Sequence, residues 1–272
     1  MNWNKMNIEG ISVKVKGHGP SLVCISGFGC SDWNYDLLKN LLSSSFQVVL
    51  INNRGMGESA PSEGEFDLKD LARDVLKVMN ALSISKFHVM GVSMGGFIAS
   101  ELTLMAPHRV LSLILGCSLS GGEDFPKLQK ITEEAILKGR EFPDEMRESA
   151  VLNATVHPDF FGTDLFNHIL KLRLANIPDV DAVLKQVRAV DLFLAREQNL
   201  HEIEKPVLIL TGDSDRFVPP VASEILHKKI PNSQLIYIER ADHHFFLERA
   251  DKVASIVNQF ILGEKDDYQH LT

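Results

Sequence analysis

Apolar and polar side chains alternate over the first clear element of the chain: Ile11, Val13 and Val15 fall on one side, and Ser12, Lys14 and Lys16 on the other. A period of two is that of a strand with one buried face, the usual condition of an antiparallel strand near a sheet margin. Further runs at 21–26, 46–52, 87–91, 110–116, 206–212 and 234–239 are mostly apolar, without strict alternation. A strand covered on both faces has no solvent side to reserve for polar residues, so these runs predict a parallel sheet between layers of helix. Between them, residues 34–45, 68–82, 94–106, 221–229 and 251–262 space their apolar positions by three and four, the repeat of one helix face. Strand alternating with helix predicts an α/β chain, with helices on both faces because parallel neighbours need right-handed crossovers.

One stretch breaks this rhythm. From about Leu119 to Leu200 no strand-like run occurs; the segment is helical, charged and marked by Phe125, Phe142, Phe160, Phe161, Phe166 and Phe193. It leaves the sheet after Gly116 and returns before Pro206, which sets it above the carboxyl ends of the strands, where open α/β sheets bind ligands. It is expected to be a lid over a site. The division that follows is a core of residues 1–118 and 201–272 and a helical lid of 119–200. The phenylalanines either hold the lid's helices together or face an acyl or aromatic group of modest size.

Composition narrows the class. Of 272 residues, 44% are hydrophobic and 24% charged, ordinary for a soluble globular chain. The net charge of −8, without any cluster of more than two adjacent basic residues, argues against nucleic acid as a partner. The opening MNWNKMNIEG is polar and lacks the apolar stretch of a signal peptide. No run approaches the ~20 apolar residues of a membrane span. Cys24, Cys30 and Cys117 lack metal-type spacing and are expected to be buried thiols in a reducing compartment, which makes the cytoplasm the expected location. The polar tail GEKDDYQHLT is expected to fray.

The chemistry-bearing stretch is HVMGVSMGGFIASELTL (88–104). Gly91, Ser93 and Gly95 form G-x-S-x-G at the junction of a predicted strand and a predicted helix, the setting this motif requires. So tight a reversal strains the serine backbone and lifts its hydroxyl clear of the sheet edge. The Met94 N–H lies at the helix N-terminus, where negative charge is favoured. A serine hydroxyl is a weak nucleophile until a base takes its proton, and a histidine oriented by a carboxylate is the usual base. Two segments at the carboxyl ends of later strands offer these groups: TGDSDRFVP (211–219), with Asp213 and Asp215, and ERADHHFFLER (239–249), with His243 and His244.

Taken in order, SGFG (26–29), NRGMGES (53–59), GVSMGG (91–96), GDSDRFVP (212–219) and ADHHFFLE (241–248) resemble the α/β-hydrolase fold superfamily from about residue 8 to 262, and small bacterial serine esterases and 3-oxoadipate enol-lactonases within it. The resemblance implies a mostly parallel eight-stranded sheet with the helical lid inserted after strand six. It implies Ser93 as nucleophile. The family's G-x-x-D-x-x-x-P pattern places the acid at Asp215, with Pro219 closing it, and leaves Asp213 as a turn residue. A glutamate five positions after the catalytic histidine selects His243, matched by Glu248, over His244. The oxyanion donors are then the backbone N–H groups of Phe28 and Met94. The family usually has His-Gly before the first donor; Ser26-Gly27 stands there instead, which leaves the support of that loop in question. Asn52 stands where many relatives carry Asp, and Arg54 is expected to tie its loop down.

The implied reaction is hydrolysis of a carboxylic ester, lactone or thioester of a small to medium acyl substrate through a Ser93-His243-Asp215 triad and an acyl-enzyme. No metal and no organic cofactor is implied, and a monomer or homodimer is expected. Serine at the elbow argues against epoxide hydrolases and dehalogenases of this superfamily, which use Asp. Carbon–carbon bond hydrolases, acyltransferases and slow-hydrolysing ligand receptors share the same pattern.

Overall fold

The computed structural model describes residues 2–123 and 131–263; Phe125 and the tail beyond Gly263 lie outside the described residues. Among the described residues eight strands form one sheet: β1 (Asn4–Ile8), β2 (Ile11–Lys16), β3 (Ser21–Ile25), β4 (Gln47–Ile51), β5 (Phe87–Val92), β6 (Val110–Gly116), β7 (Val207–Gly212) and β8 (Ser233–Ile238). Their order is β1-β2-β4-β3-β5-β6-β7-β8. β2 is antiparallel to β1 and β4, and every later pairing is parallel.

β1 is the strand that hydrophobic periodicity does not find. Its sequence, NKMNI, is exposed or half-exposed throughout. As the outermost strand it needs only backbone bonds to β2, with Met6 opposite Val13, and buries almost nothing. The inner strands send successive side chains to opposite faces. Val23, Ile25, Val49 and Ile209 join α2 (Leu68–Ala81), α3 (Met94–Met105) and α8 (Pro220–Lys229) on one side. Leu22, Cys24, Leu50 and Leu208 join α1 (Leu38–Leu42) and α10 (Ala250–Leu262) on the other. This even division explains why the runs read as apolar on both phases.

The helix expected over 34–45 is instead a 3-10 turn, Asp32–Tyr35, followed by the short α1. The turn is pinned from within: the fully buried Tyr35 hydroxyl donates to the carbonyls of Ile25 and Met90, at 3.0 and 3.3 Å. Between β6 and β7 stand α4 (Glu133–Gly139), α5 (Asp144–Thr155), α6 (Asp164–Leu174) and α7 (Val180–Leu194). The short α9 (Phe245–Glu248) follows β8. All three cysteines are free and buried. Among the described residues, no helix is long and apolar enough to cross a membrane.

Candidate functional site

Ser93 joins β5 to α3 with φ 53° and ψ −123°, a left-handed conformation that a non-glycine residue adopts only under constraint. The constraints are visible. Its N–H donates to the Gly116 carbonyl at 2.7 Å, and its carbonyl accepts from the Ser118 hydroxyl at 3.1 Å. A Cβ on Gly91 would lie 2.1 Å from the Gly95 carbonyl oxygen, and one on Gly95 would lie 2.1 Å from that of Ile25. Both glycines are therefore required by the close crossing of helix and strand.

Asp215 and His243 meet: Asp215 Oδ2 lies 3.0 Å from His243 Nδ1. The other carboxylate oxygen accepts from the N–H groups of Phe217 and Val218, at 2.9 and 2.7 Å. An ionised carboxylate only accepts, so in the neutral ring Nδ1 carries the proton and Nε2 keeps its lone pair. Burial opposes a charge on this ring, but the Asp215 carboxylate bonded to Nδ1 outweighs it, and His243 titrates well above the ordinary histidine range. Asp213 is exposed and caps the turn at Arg240 N–H, 3.1 Å away. His244 points elsewhere and pairs with no carboxylate among the described residues. Ser93 and His243 line one cavity, although no hydrogen bond joins the Ser93 hydroxyl to the ring among the described residues.

The loop expected to supply an oxyanion donor lies against the elbow, since a Cβ on Gly27 would come within 3.3 Å of Ser93 Cβ. Its support comes from residues that no local motif marks. Gly27 N–H donates to Asn34 Oδ1 at 3.1 Å, Gly29 N–H to Gln186 Oε1 at 2.8 Å, and the Ser26 hydroxyl to the Ser31 carbonyl at 2.9 Å. The N–H groups of Phe28 and Met94 donate to no other group among the described residues. Arg54 holds Asp74 of α2 at 2.5 and 2.9 Å, and Asn52 Oδ1 accepts from Asp32 N–H at 2.6 Å, so the 53–59 loop is a scaffold piece.

Over these groups lies a cavity of about 540 Å³. Its floor includes Phe28, Ser93 and His243, and its roof includes Phe142, Met146 and Val151 of the insertion, all of which are also exposed. Of the insertion phenylalanines, Phe142 faces this cavity, whereas Phe166 and Phe193 are buried in the packing. One wall is charged: Glu148 accepts from Arg173 at 2.8 and 3.0 Å and from Arg147 at 3.1 Å. Cys30 also lines the cavity, and burial pushes its thiol up to about 11, so it stays protonated and unreactive. Cys117, Asp215 and His243 bring metal-ligand atoms within 4.8 Å of one another, the one such group among the described residues. Burial raises the Cys117 thiol too, which disfavours the thiolate that a metal would need.

Around the Asp215–His243 pair, Arg216 and Asp242 escaped sequence reasoning, whereas Glu248 was marked by its spacing alone. The fully buried Asp242 accepts from the Arg216 side chain at 2.6 Å and from the Arg216 N–H at 2.9 Å, joining the two loops that carry His243 and Asp215. Arg216 also donates to the carbonyls of Asn153 and Val156 in the insertion. Glu248 accepts from the N–H groups of Asp242 and His157, at 2.9 and 3.1 Å. The available signals were an Arg directly after Asp215 and an Asp directly before His243.

Comparison with known proteins agrees with this architecture. The family described as alpha/beta hydrolase fold matches residues 20–250. A pimeloyl-[acyl-carrier protein] methyl ester esterase of Neisseria meningitidis is 27% identical over 265 residues, covering 89% of this chain and 77% of the relative. A 2-hydroxy-6-oxononadienedioate/2-hydroxy-6-oxononatrienedioate hydrolase of Pseudomonas putida is 30% identical over 275 residues, covering 96% and 91%. The crystal structure of the enol-lactonase from Burkholderia xenovorans LB400 superimposes with a TM-score of 0.82 at 20% identity, covering 95% of this chain and all of that one, a likeness of fold alone.

Proposed function

The chain belongs to the α/β-hydrolase fold family, and from that premise we propose that it is a serine hydrolase that cleaves a carboxylic ester, lactone or thioester of a small to medium acyl substrate. The observation that carries this reading is the His243–Asp215 pair, 3.0 Å apart, on the same cavity as a serine held in a strained elbow. Ser93 Oγ attacks the substrate carbonyl carbon as His243 Nε2 takes its proton. Asp215 fixes the tautomer and offsets the imidazolium charge. The N–H groups of Phe28 and Met94 receive the negative oxygen. The leaving alcohol or thiol departs with the proton from His243, and water, deprotonated by the same nitrogen, releases the acid and restores Ser93. Hydrogen bonds of this kind tighten when substrate binds, so an open Ser93–His243 contact in the free protein fits the mechanism.

The insertion acts as the lid of this site. The mostly apolar cavity suits an acyl chain, in keeping with the methyl ester esterase named above. A second reading, hydrolysis of an acid of the kind for which the Pseudomonas putida relative is named, draws on Arg147 and Arg173 in the cavity wall.

The test is direct. A fluorophosphonate should add to Ser93, seen as a mass adduct on the peptide that holds it, and Ser93→Ala should lose at least about 10³-fold in turnover of p-nitrophenyl esters. Labelling elsewhere, or ester turnover unchanged in Ser93→Ala, would remove the proposal. Comparing simple esters with the dienedioate separates the two substrate readings.

A further inference from the structure

The insertion does more than cover the cavity, because its helix α7 touches both elements that carry the oxyanion donors. At one contact, Gln186 Oε1 accepts the N–H of Gly29, the residue after Phe28, at 2.8 Å. At the other, the Phe193 ring stacks on Phe97 of α3, with centroids 4.7 Å apart and planes 9° from parallel. Phe97 lies one turn beyond Met94 on that helix.

The seat of α7 is fixed independently of these contacts. A Cβ on Gly55 would come within 2.5 Å of Ala182 Cβ, so helix and loop are in close contact there. Lys185 donates to the Ser62 carbonyl at 2.8 Å, and Arg188 pairs with Glu65 at 2.6 Å. Gln186 itself is fully buried, and its Nε2 has no partner among the described residues. The only hydrogen bond found for this side chain among the described residues is the one to Gly29. A buried amide with half its capacity unused is a costly way to fill space, since a methionine or leucine would pack there without an orphaned donor.

The oxyanion loop needs such a partner. Gly29 has φ 64°, so the loop turns sharply just past Phe28, and Asn34 secures only the preceding peptide at Gly27. The Cys30 N–H closes the turn onto the Gly27 carbonyl at 3.2 Å, and Gln186 adds the direct hydrogen bond to the peptide that follows Phe28.

We propose that Gln186 is a positioning residue of the oxyanion hole: by holding Gly29 it aims the Phe28 N–H, while α7, stacked on α3, sets its spacing from the Met94 N–H. The proposal rests on the serine hydrolase reading and extends it to the insertion. The role concerns charge that develops only as the carbonyl is attacked, so its loss should appear in turnover rather than in substrate binding.

Gln186→Met matches the side chain in length and removes the acceptor. Whole removal of an oxyanion donor costs about 10²–10³ in turnover, and a misaimed donor should cost less. The expected result is a fall in kcat of at least about 10-fold, with KM changed less than about 3-fold. Affinity for an arylboronic acid, whose tetrahedral adduct with Ser93 places a negative oxygen in the hole, should weaken in step with kcat. A merely structural role would not produce that parallel. Gln186→Ala repeats the measurement if the methionine variant is insoluble. Wild-type kcat in a folded variant, boronate affinity retained while kcat falls, or failure of both variants to fold overturns the proposal. Fluorophosphonate labelling of Ser93 in the unmodified protein is the separate check on the parent reading. Its absence defeats that reading, whereas a labelled, active protein beside an unimpaired Gln186 variant defeats only the positioning role.

Discussion

His243 and His244 have ring centroids 5.9 Å apart, yet their surroundings are opposite. His243 Nδ1 faces the Asp215 carboxylate at 3.0 Å. Both nitrogens of His244 are buried without a partner among the described residues, and its ring stacks on Phe246 with centroids 5.7 Å apart. Burial, then the neighbouring His243 and Arg173, hold His244 well below the ordinary histidine range, so it is neutral at pH 7.

The contrast predicts opposite outcomes for neighbouring substitutions. His243→Ala should lose about 10³-fold or more in ester turnover. His244→Phe should keep turnover within a few-fold and raise stability by about 1–3 kcal/mol, because it removes two unpaired buried polar atoms from a ring already stacked on Phe246. Urea unfolding of the two variants beside the unmodified protein checks this; a destabilised His244→Phe would show that those nitrogens are satisfied in solution.

In the proposed mechanism the raised titration of His243 sets the acid limb of activity. A general base works unprotonated, so kcat/KM should be full at high pH and fall as pH drops through the His243 value, with its midpoint above about 6.5. Asp215→Asn keeps an acceptor for the Phe217 and Val218 N–H groups but turns an amide toward Nδ1, which favours the wrong tautomer. Turnover should fall about 10⁴-fold, and the limb of the residual activity should move to lower pH. A limb that stays in place in Asp215→Asn would assign it to another group.

Glu248 predicts a pH dependence of stability. Burial, the largest influence, and the Asp242 charge push its carboxyl up to about 7, against the pull of two backbone N–H groups and Arg249. Its folded value lies above its unfolded one, so the folded chain holds a proton that the unfolded chain has lost. The contribution is complete below about pH 4.5 and is lost as pH rises through 7, amounting to about 3 kcal/mol between pH 5 and 8. Glu248→Gln, which cannot ionise, should be less stable than the unmodified protein at pH 5 because it forfeits one acceptor, and the gap should narrow by that amount at pH 8. Parallel stability curves would contradict this.

What the sequence disclosed and what it withheld divide along the range of each interaction. Gly91, Ser93 and Gly95 are legible together because the elbow is built within one turn of chain. The choice of Asp215 over Asp213, and of His243 over His244, rests on the family resemblance, whose patterns with Pro219 and Glu248 again span only a few residues. The support of the oxyanion loop is not local: Gly29 and Gln186 lie 157 positions apart, and nothing in either neighbourhood names the other. Arg216 and Asp242, 26 positions apart, meet only because β7 and β8 are adjacent. β1 was hidden for a different reason. A margin strand is specified by backbone pairing, and its side chains are free to be polar.

The place of the insertion also bears on how the chain is built. β6 and β7 pair directly, from Leu113 opposite Val207 to Gly116 opposite Leu210, yet residues 117–206 intervene. During synthesis, β3 to β6 can assemble as soon as they leave the ribosome, and the far side of β6 then waits, apolar and with its amide ladder open, until the whole helical segment has been made. Such an edge invites pairing with another nascent chain. The vulnerable interval in the life of this protein therefore falls before β7 arrives, and slowed elongation within the helical segment should lengthen it.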